Sequence, residues 1–586
     1  MTYAWEAMRA HAARRMGEAL GVALAPEELV APPDPKLGDL AYGCFKAAKA
    51  QGKNPAEVAQ AAAQALKADH LVAEAVAAGP YLNVRLKPAE VATRVVGDIE
   101  RMGEAYGASA SGQGHPMLFE YANPNTHKEI HVGHLRNLLL GASLVRLWRL
   151  AGHEIAPVSY VNDVGTHVAK CLWRLATAYG VDVRTLDADG AAKLLAAVPA
   201  ASRTGNYLAG LYVEATRALE EDPSAKDAVS VVHNALEAHA PAWESVWRET
   251  RRWCVDELLS IFDELDVRVE RQYFESPFLD RAHAIAKELE AKGIAKVSDG
   301  ALIVDMEEKK LGVMLVRKSD GALLYPAKDL ALYEQKAKDY PAVERLVVLV
   351  DFRQEPHFRQ VYAVLPQIGM EKPCETLSYG LVTLPEGAMS SRKGNIVTYQ
   401  ALRDAVLDRA RAETVARHED WPEGKVAHVA WALAMAGMKF GTLKVDPAKD
   451  VVFDIAKALA FEGDTGPSVQ YAAVRLGSIL RKAGWDPTQG RAADLGAIAQ
   501  PAETALVGHL AAWPSVAAKA AVERRPSVVA QWLLEAASRA NAFYRDVPVL
   551  DAPPAERAAR LRLAAAARDV MVGALGTLGI PVPDEM

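Results

Sequence analysis

Residues 123–137 read NPNTHKEIHVGHLRN, and the way this run folds decides the rest of the chain. It follows MLFEY (117–121), an apolar strand pattern, and leads into HLRNLLLGASLVRLWRL, a long helical one. A strand-to-helix turn exposes backbone N–H groups at the positive helix end, where phosphate binds well. His131 and His134, three apart on the first helical turn, share one face. Gly133 between them has no side chain, so a flat nucleotide can approach the backbone. Two imidazole donors so placed could stabilise charge on a phosphate passing through a five-coordinate state. The same histidines could equally be a helix cap and a buried hydrogen-bond donor. A metal site is a third reading, weakened because no carboxylate sits nearby at ligand spacing.

Working outward, IAPVSYV (155–161), RLVVLV (345–350) and LSYGLVTL (377–384) read as further strands separated by helical pattern. That alternation predicts an α/β catalytic domain over 111–405, a Rossmann-type doubly wound parallel sheet. Within it, the mostly helical stretch 170–280 and the strand-rich stretch 301–325 read as insertions. The first 110 residues predict a small α+β domain. There N54-P-A-E57 marks a helix start, with Asn54 as cap, Pro55 in the first position and Glu57 reaching back. GPYLNVRLKP (79–88) alternates as a strand does, and ASASGQGHP (108–116) reads as a linker. Beyond ~405 the strand signal fades into runs such as AHVAWALAMAGMKFGTLKV, predicting an all-α helical bundle domain over 406–586.

Composition bounds the partners. A net charge of -7 over 586 residues gives no global basic field, so any polyanion must be met by local patches and DNA is not expected as a partner. Cys44, Cys171, Cys254 and Cys374 have neither CxxC nor zinc-ligand spacing and read as reduced thiols, mostly buried, with no zinc. The N-terminal MTYAWEAMRAHAARRMGEAL carries charges throughout, unlike the apolar core of a signal peptide. No stretch reads as the ~18 apolar residues that would span a membrane. A cytoplasmic chain with no membrane contact is expected.

HVGH placed after such a strand resembles the HIGH motif of class I aminoacyl-tRNA synthetases, and AMSSRKGN (388–395) resembles their KMSKS loop. End to end, the chain resembles the arginyl-tRNA synthetases. The resemblance runs through ANPNTHKEIHVGHLRN, YVNDVG (160–165), LLYPAKDLALYEQK (323–336), KFGTLKVDPAKDVVFD, FEGDTGPSVQYAAVR and LGIPVPDEM. GDLAYGCFKAAKAQGKNPAEVA and GPYLNVRL are similar to that family's extra N-terminal tRNA-binding domain. What this implies is an arginine-tRNA ligase. The carboxylate of L-arginine attacks the α-phosphate of ATP, Mg2+ helps pyrophosphate leave, and the terminal ribose of tRNA(Arg) then accepts the arginyl group. The resemblance also implies a monomer, and activation that requires bound tRNA.

It further implies particular residues. Asn123, Asn125, His134, Tyr325, Asp329 and Gln354 match the contacts to arginine, with Glu120 a weaker candidate. Tyr325 and Asp329, four apart on one helix face, offer a ring and a carboxylate to a guanidinium. Without the resemblance they would read as a packed tyrosine and an exposed helix aspartate. His131, Gly133, Lys128, Ser390, Ser391, Arg392 and Lys393 are the expected ATP contacts, with His131, His134, Lys128 and Lys393 catalytic. Ala388 and Ser391 stand where KMSKS has its lysines, so Lys128 is expected on the ATP phosphates; a solvated loop lysine is the alternative. His167 stands for the family's usual glutamine, and Ser468 for a common tyrosine.

For tRNA, Tyr81 and Asn83 share a strand face and match the family's reader of a base in the elbow. Gln470, Tyr471, Arg475, Arg481 and Lys482 fall on one predicted helix. Two rivals remain: a small nucleotidyltransferase, which shares HxGH but is much shorter, and a synthetase-like chain that binds tRNA without catalysis, supported only by the altered KMSKS loop.

Overall fold

Five parallel strands build the central sheet: β1 Met117–Glu120, β2 Ile155–Val161, β3 Arg271–Phe274, β4 Arg345–Asp351 and β5 Cys374–Tyr379, in the order β5-β4-β1-β2-β3. The computed structural model describes residues 2–383 and 397–586. From β1 the chain steps outward to β2 and β3, then crosses to β4 and β5 on the other side. The switch point therefore lies between the carboxyl ends of β1 and β4, where sheets of this kind leave a ligand crevice. β4 is buried along most of its length, as its continuous run of Leu and Val requires.

Helix α1, Val132–Leu150, leaves β1 and is buried on almost every side. Gly141 makes its approach to the sheet possible, because a Cβ there would fall 2.1 Å from the Tyr121 ring. LSYGLVTL divides in two, against expectation. After β5, Gly380 breaks the run, and Val382–Thr383 pairs in parallel with Val451–Val452, not with the central sheet. A Cβ on Gly380 would meet the Lys449 carbonyl at 2.6 Å, so the break is set by close packing.

The N-terminal part is an antiparallel three-stranded sheet with helices including Ala4–Leu20 and Pro88–Met102. Asn54 caps the helix Pro55–Ala65 by accepting the Ala56 N–H (2.9 Å), while the expected return bond from Glu57 is absent. The insertions are a helical bundle ending in α2, Pro241–Leu265, and an antiparallel sheet of three strands between 296 and 317. Helices α3, Tyr325–Asp339, and α4, Glu355–Val364, flank β4 in sequence.

The rest is helical: α5 Tyr399–Arg417, α6 Glu423–Leu443, α7 Gly466–Ala483, α8 Pro501–Glu523, α9 Pro526–Asp546 and α10 Pro554–Thr577. The boundary expected at 405/406 falls inside α5, which is continuous there. The helical part thus begins at Thr398, the cap of α5. Among the described residues two helices, α6 and α8, are long and apolar enough to cross a membrane, where none was expected. Their most apolar windows are 78% and 50% buried within the protein, as core helices are.

One apolar core runs through all three parts. Along it, Trp148 of α1 donates to the Ala521 carbonyl (3.1 Å), and Ser143 donates to that of Thr577 (2.9 Å). Arg562 of α10 grips Glu100 of the N-terminal part through two bonds of 2.8 and 2.6 Å. Across the same seam Tyr106 donates its hydroxyl to the Leu510 carbonyl (3.1 Å), and Trp513 donates Nε1–H to the Tyr106 carbonyl (2.9 Å). All four cysteines are free, three of them buried.

Candidate active site

The run NPNTHKEIHVGHLRN turns from β1 into α1 with its backbone held at several points. Ala122 and His127 both take left-handed conformations (φ 58° and 57°) that cost non-glycine residues on the order of 1 kcal/mol or more each. Asn137 offsets the first: its Oδ1 accepts the Ala122 N–H (2.7 Å), and its Nδ2 donates to Leu349 of β4 (2.8 Å). His127, fully buried, offsets the second. Thr250 of α2 donates its hydroxyl to Val246 (2.8 Å), so it accepts from His127 Nε2–H (3.0 Å); Nδ1 is left to accept from Thr126 (2.9 Å). Burial, then the Arg251 charge, lower the His127 pKa to about 3, and the ring stays neutral. Both of its nitrogens are spent on structure.

His131 caps α1. Its Nδ1 accepts the Gly133 N–H (3.1 Å), while its own N–H donates to Nδ1 of His134 (3.2 Å). Both rings must therefore carry their proton on Nε2. They stack at 3.9 Å, and burial holds both pKa values below the ordinary histidine range, helped by Arg353 and Lys128 at His131 and by His131 itself at His134. The helix-cap reading and the phosphate-donor reading are thus compatible: Nδ1 caps, and Nε2–H remains as a donor.

Lys128 is half-buried over the Tyr212 ring (5.2 Å), with no carboxylate paired to it among the described residues. Burial, then Lys170, lower its pKa. Such an ammonium lacks an anion. Arg353, just after β4, adds a second cation whose field reaches His131; the sequence reading missed it because arginines after strands are common. His167 presents a buried Nε2 with no hydrogen-bond partner, in the field of Lys128 and Lys328.

Asn123 is engaged: Nδ2 donates to Glu120 (2.7 Å) and Oδ1 accepts the Tyr160 N–H (2.9 Å). Glu120 is buried and ion-paired with the equally buried Lys336, which counts against a direct substrate contact. Asn125 bridges to Asn162 through its backbone, and its side chain makes no hydrogen bond among the described residues. Tyr325, 59% exposed, opens α3, and Asp329 lies buried one turn later, so they share a face but not an environment. His357 of α4 donates Nε2–H to Asp329 Oδ2 at 2.5 Å. Gln354 is exposed at the start of α4, one turn before His357. Buried Glu275 pairs with Lys328, and buried Asp163 accepts from Arg251 (2.6 Å) and Ser276. Burial raises the Glu275 pKa, with Asp163 and Asp329 adding to it. These partners come from distant segments, which no local pattern signals. Ala388, Ser390, Ser391, Arg392 and Lys393 lie outside the described residues.

Two of the expected tRNA contacts, Asn83 and Gln470, are buried within the protein. Asn83 is only 1% exposed, its amide donating to Val76 and Tyr81 carbonyls, because that strand face packs inward at 83. Gln470 is fully buried, donating to Ala432 (3.0 Å) and Pro581 (2.5 Å), and so holds the C-terminal tail. Tyr81 stays exposed, edge-on to exposed Phe45 at 6.0 Å. Arg475 lies over the rings of Tyr471 (5.1 Å) and Tyr544 (4.1 Å). Arg481 and Lys482 are exposed, and Ser468 donates to Gly463 (2.8 Å) within its cap. Among the described residues one cluster, His11, Asp69 and His70, has metal-ligand proximity, but the Arg15 guanidinium already sits on Asp69.

A parallel sheet with its switch point at a capped H-x-G-H helix fits a class I aminoacyl-tRNA synthetase catalytic domain, and the length and three-part build of the chain set it apart from the small nucleotidyltransferases that share the motif. Residues 101–455 match the model of that domain described as tRNA synthetases class I (R). Residues 7–86 match the arginyl tRNA synthetase N terminal domain, and 469–586 the DALR anticodon binding domain. The arginine–tRNA ligase of Bdellovibrio bacteriovorus is 36% identical over 95% of this chain and 94% of its own. That of Chloroflexus aggregans is 32% identical over 94% and 95%. The arginyl-tRNA synthetase structure from Thermus thermophilus superposes with a TM-score of 0.74, at 28% identity, covering 99% of this chain and all of that one. The chain belongs to the arginyl-tRNA synthetase family.

Proposed function

We propose a division of labour for the reaction of this chain, the ATP-dependent ligation of arginine to tRNA. The arginine carboxylate attacks the α-phosphorus, pyrophosphate leaves, and the 3′-terminal ribose hydroxyl of tRNA(Arg) takes the arginyl group. No side-chain nucleophile is needed; the protein positions reactants and stabilises charge.

The observation that carries the reading is the stacked imidazole pair, neutral and with both Nδ1 atoms spent on the backbone. Nε2–H of His131 and His134 then donates to the α-phosphate as it becomes five-coordinate. Preorganised donors of this kind contribute roughly 3 kcal/mol each to the transition state. Gly133 leaves room for the nucleotide, and Lys128, without a paired carboxylate among the described residues, neutralises the phosphates with Lys393, Arg392, Ser390 and Ser391 of the second signature. Mg2+ accompanies ATP as part of the substrate. Asp329 and Tyr325 take the guanidinium, while Asn125 and Gln354 lie at the ammonium and carboxylate end beside Asn123. Tyr81, Tyr471 and Arg475 contact tRNA. Residues 1–110 form the elbow-binding part, followed by the catalytic part, whose family model runs to residue 455, and the anticodon-binding helices matched over 469–586, all working as a cytoplasmic monomer.

Charging of total tRNA with each of the twenty amino acids, paired with pyrophosphate exchange with and without tRNA, tests this reading. Arginine alone is charged, and exchange appears only with tRNA. A chain that binds tRNA and charges nothing would be a non-catalytic relative.

A further inference from the structure

The buried carboxylate of Asp329 has two oxygens in different situations. Oδ2 accepts Nε2–H from His357 at 2.5 Å, whereas Oδ1 has no hydrogen-bond partner among the described residues. Asp329 belongs to α3 and His357 to α4, so this bond crosses between helices and fixes how the carboxylate plane is turned. Left alone, an aspartate χ2 rotates broadly, and a guanidinium needs its acceptor in one plane. Gln354, one turn before His357, puts both residues on the same face of the segment entering α4.

The geometry points to His357 as a specificity-determining positioning residue: by engaging Oδ2 it holds Oδ1 toward the guanidinium of the arginine substrate. The inference rests on the reading of Asp329 as a guanidinium contact. His357 touches no reacting atom and acts through Asp329 alone. The imidazole also selects its ligand. With Oδ2 already supplied with a donor, the carboxylate has one oxygen left for a cation that brings its own N–H group. An uncharged ureido analogue of arginine gains less from it.

The test is steady-state charging with His357→Ala, His357→Gln, Asp329→Asn and the double variant His357→Ala/Asp329→Asn. Glutamine can place an N–H donor near the Nε2 position. Loss of an orienting hydrogen bond to a charged group raises KM for arginine about tenfold or more in His357→Ala. The KM for ATP and the kcat at saturating arginine stay within about twofold, a split that a general loss of folding would not produce. His357→Gln recovers most of the arginine KM, and discrimination against the ureido analogue falls in His357→Ala and Asp329→Asn but not in His357→Gln. In the Asp329→Asn background, His357→Ala adds little. If Asp329→Asn keeps the wild-type KM for arginine, the reading of Asp329 itself fails. If Asp329→Asn is impaired while His357→Ala is not, or His357→Gln fails to recover the KM, only the role of His357 is overturned.

Discussion

At the scale of single residues, the active site separates groups that hold the backbone from groups left for ligand. Asn123, Asn137 and His127 have their hydrogen-bonding groups taken by the protein, whereas Lys128 and the two Nε2–H groups have no hydrogen-bond or carboxylate partner among the described residues. Lys128→Ala should therefore lower tRNA-dependent pyrophosphate exchange by ~100-fold or more with the melting temperature unchanged; near-normal exchange would remove Lys128 from the ATP site. His127 makes the opposite prediction. Its folded pKa of about 3 lies below the ordinary value near 6.5, so between these values the unfolded chain binds a proton that the folded one refuses. Its stabilising contribution is complete above about pH 6.5 and is lost as pH falls toward 3. The urea midpoint should drop between pH 7.5 and pH 5, and should drop less in His127→Gln, which cannot take up the charge. The motif was legible as a motif, since spacing alone put both histidines on one face. What each asparagine does was not, because Asn137 reaches a β4 carbonyl 212 residues away in sequence.

At the scale of elements, the strands β1, β2 and β4 and helix α1 stand where periodicity put them, as buried apolar runs do. The failure at LSYGLVTL has a local cause: glycine at 380 lets the chain lie against the Lys449 carbonyl and leave the sheet. Opposite that point, Arg136 of α1 extends a buried guanidinium whose Nη2 donates to the carbonyls of Asp446, Pro447 and Lys449 at 3.0, 3.0 and 2.7 Å. Burial lowers its pKa to about 10, with no carboxylate directly against it. Arg136 thus binds the helix of the first signature to the segment that pairs with Val382–Thr383, the last described residues before the second signature. Arg136→Ala should destabilise the protein by about 2–4 kcal/mol in a denaturant titration, since several acceptors lose a charged donor together. An unchanged midpoint would show that the three carbonyls are satisfied without it.

Over the whole molecule, composition indicated that a protein of net charge -7 must meet tRNA through patches, and the exposed Tyr81–Phe45 pair and the Arg475–Tyr471–Tyr544 stack lie at separate places. Tyr81→Ala and Arg475→Ala should each raise KM for tRNA by roughly tenfold, with KM for arginine and ATP little changed. Only Arg475→Ala should also flatten the salt dependence of tRNA binding, because it alone removes a charge. Equal salt slopes in the two variants would count against that assignment. The three-part order of the chain was legible, but the seams between the parts were not, because period and composition mark where an element is and not what it leans on. Helix α1 is the clearest case: its first turn carries the histidines, and its far half is bonded to α8 and to the end of α10. This shared helix constrains how such an enzyme can change over time. A recombination event that exchanged the C-terminal helices for those of another lineage would have to bring backbone carbonyls back to the same places beside Ser143 and Trp148. A hybrid whose helices seated differently would disturb the helix that carries His131 and His134, before any question of which codon it served.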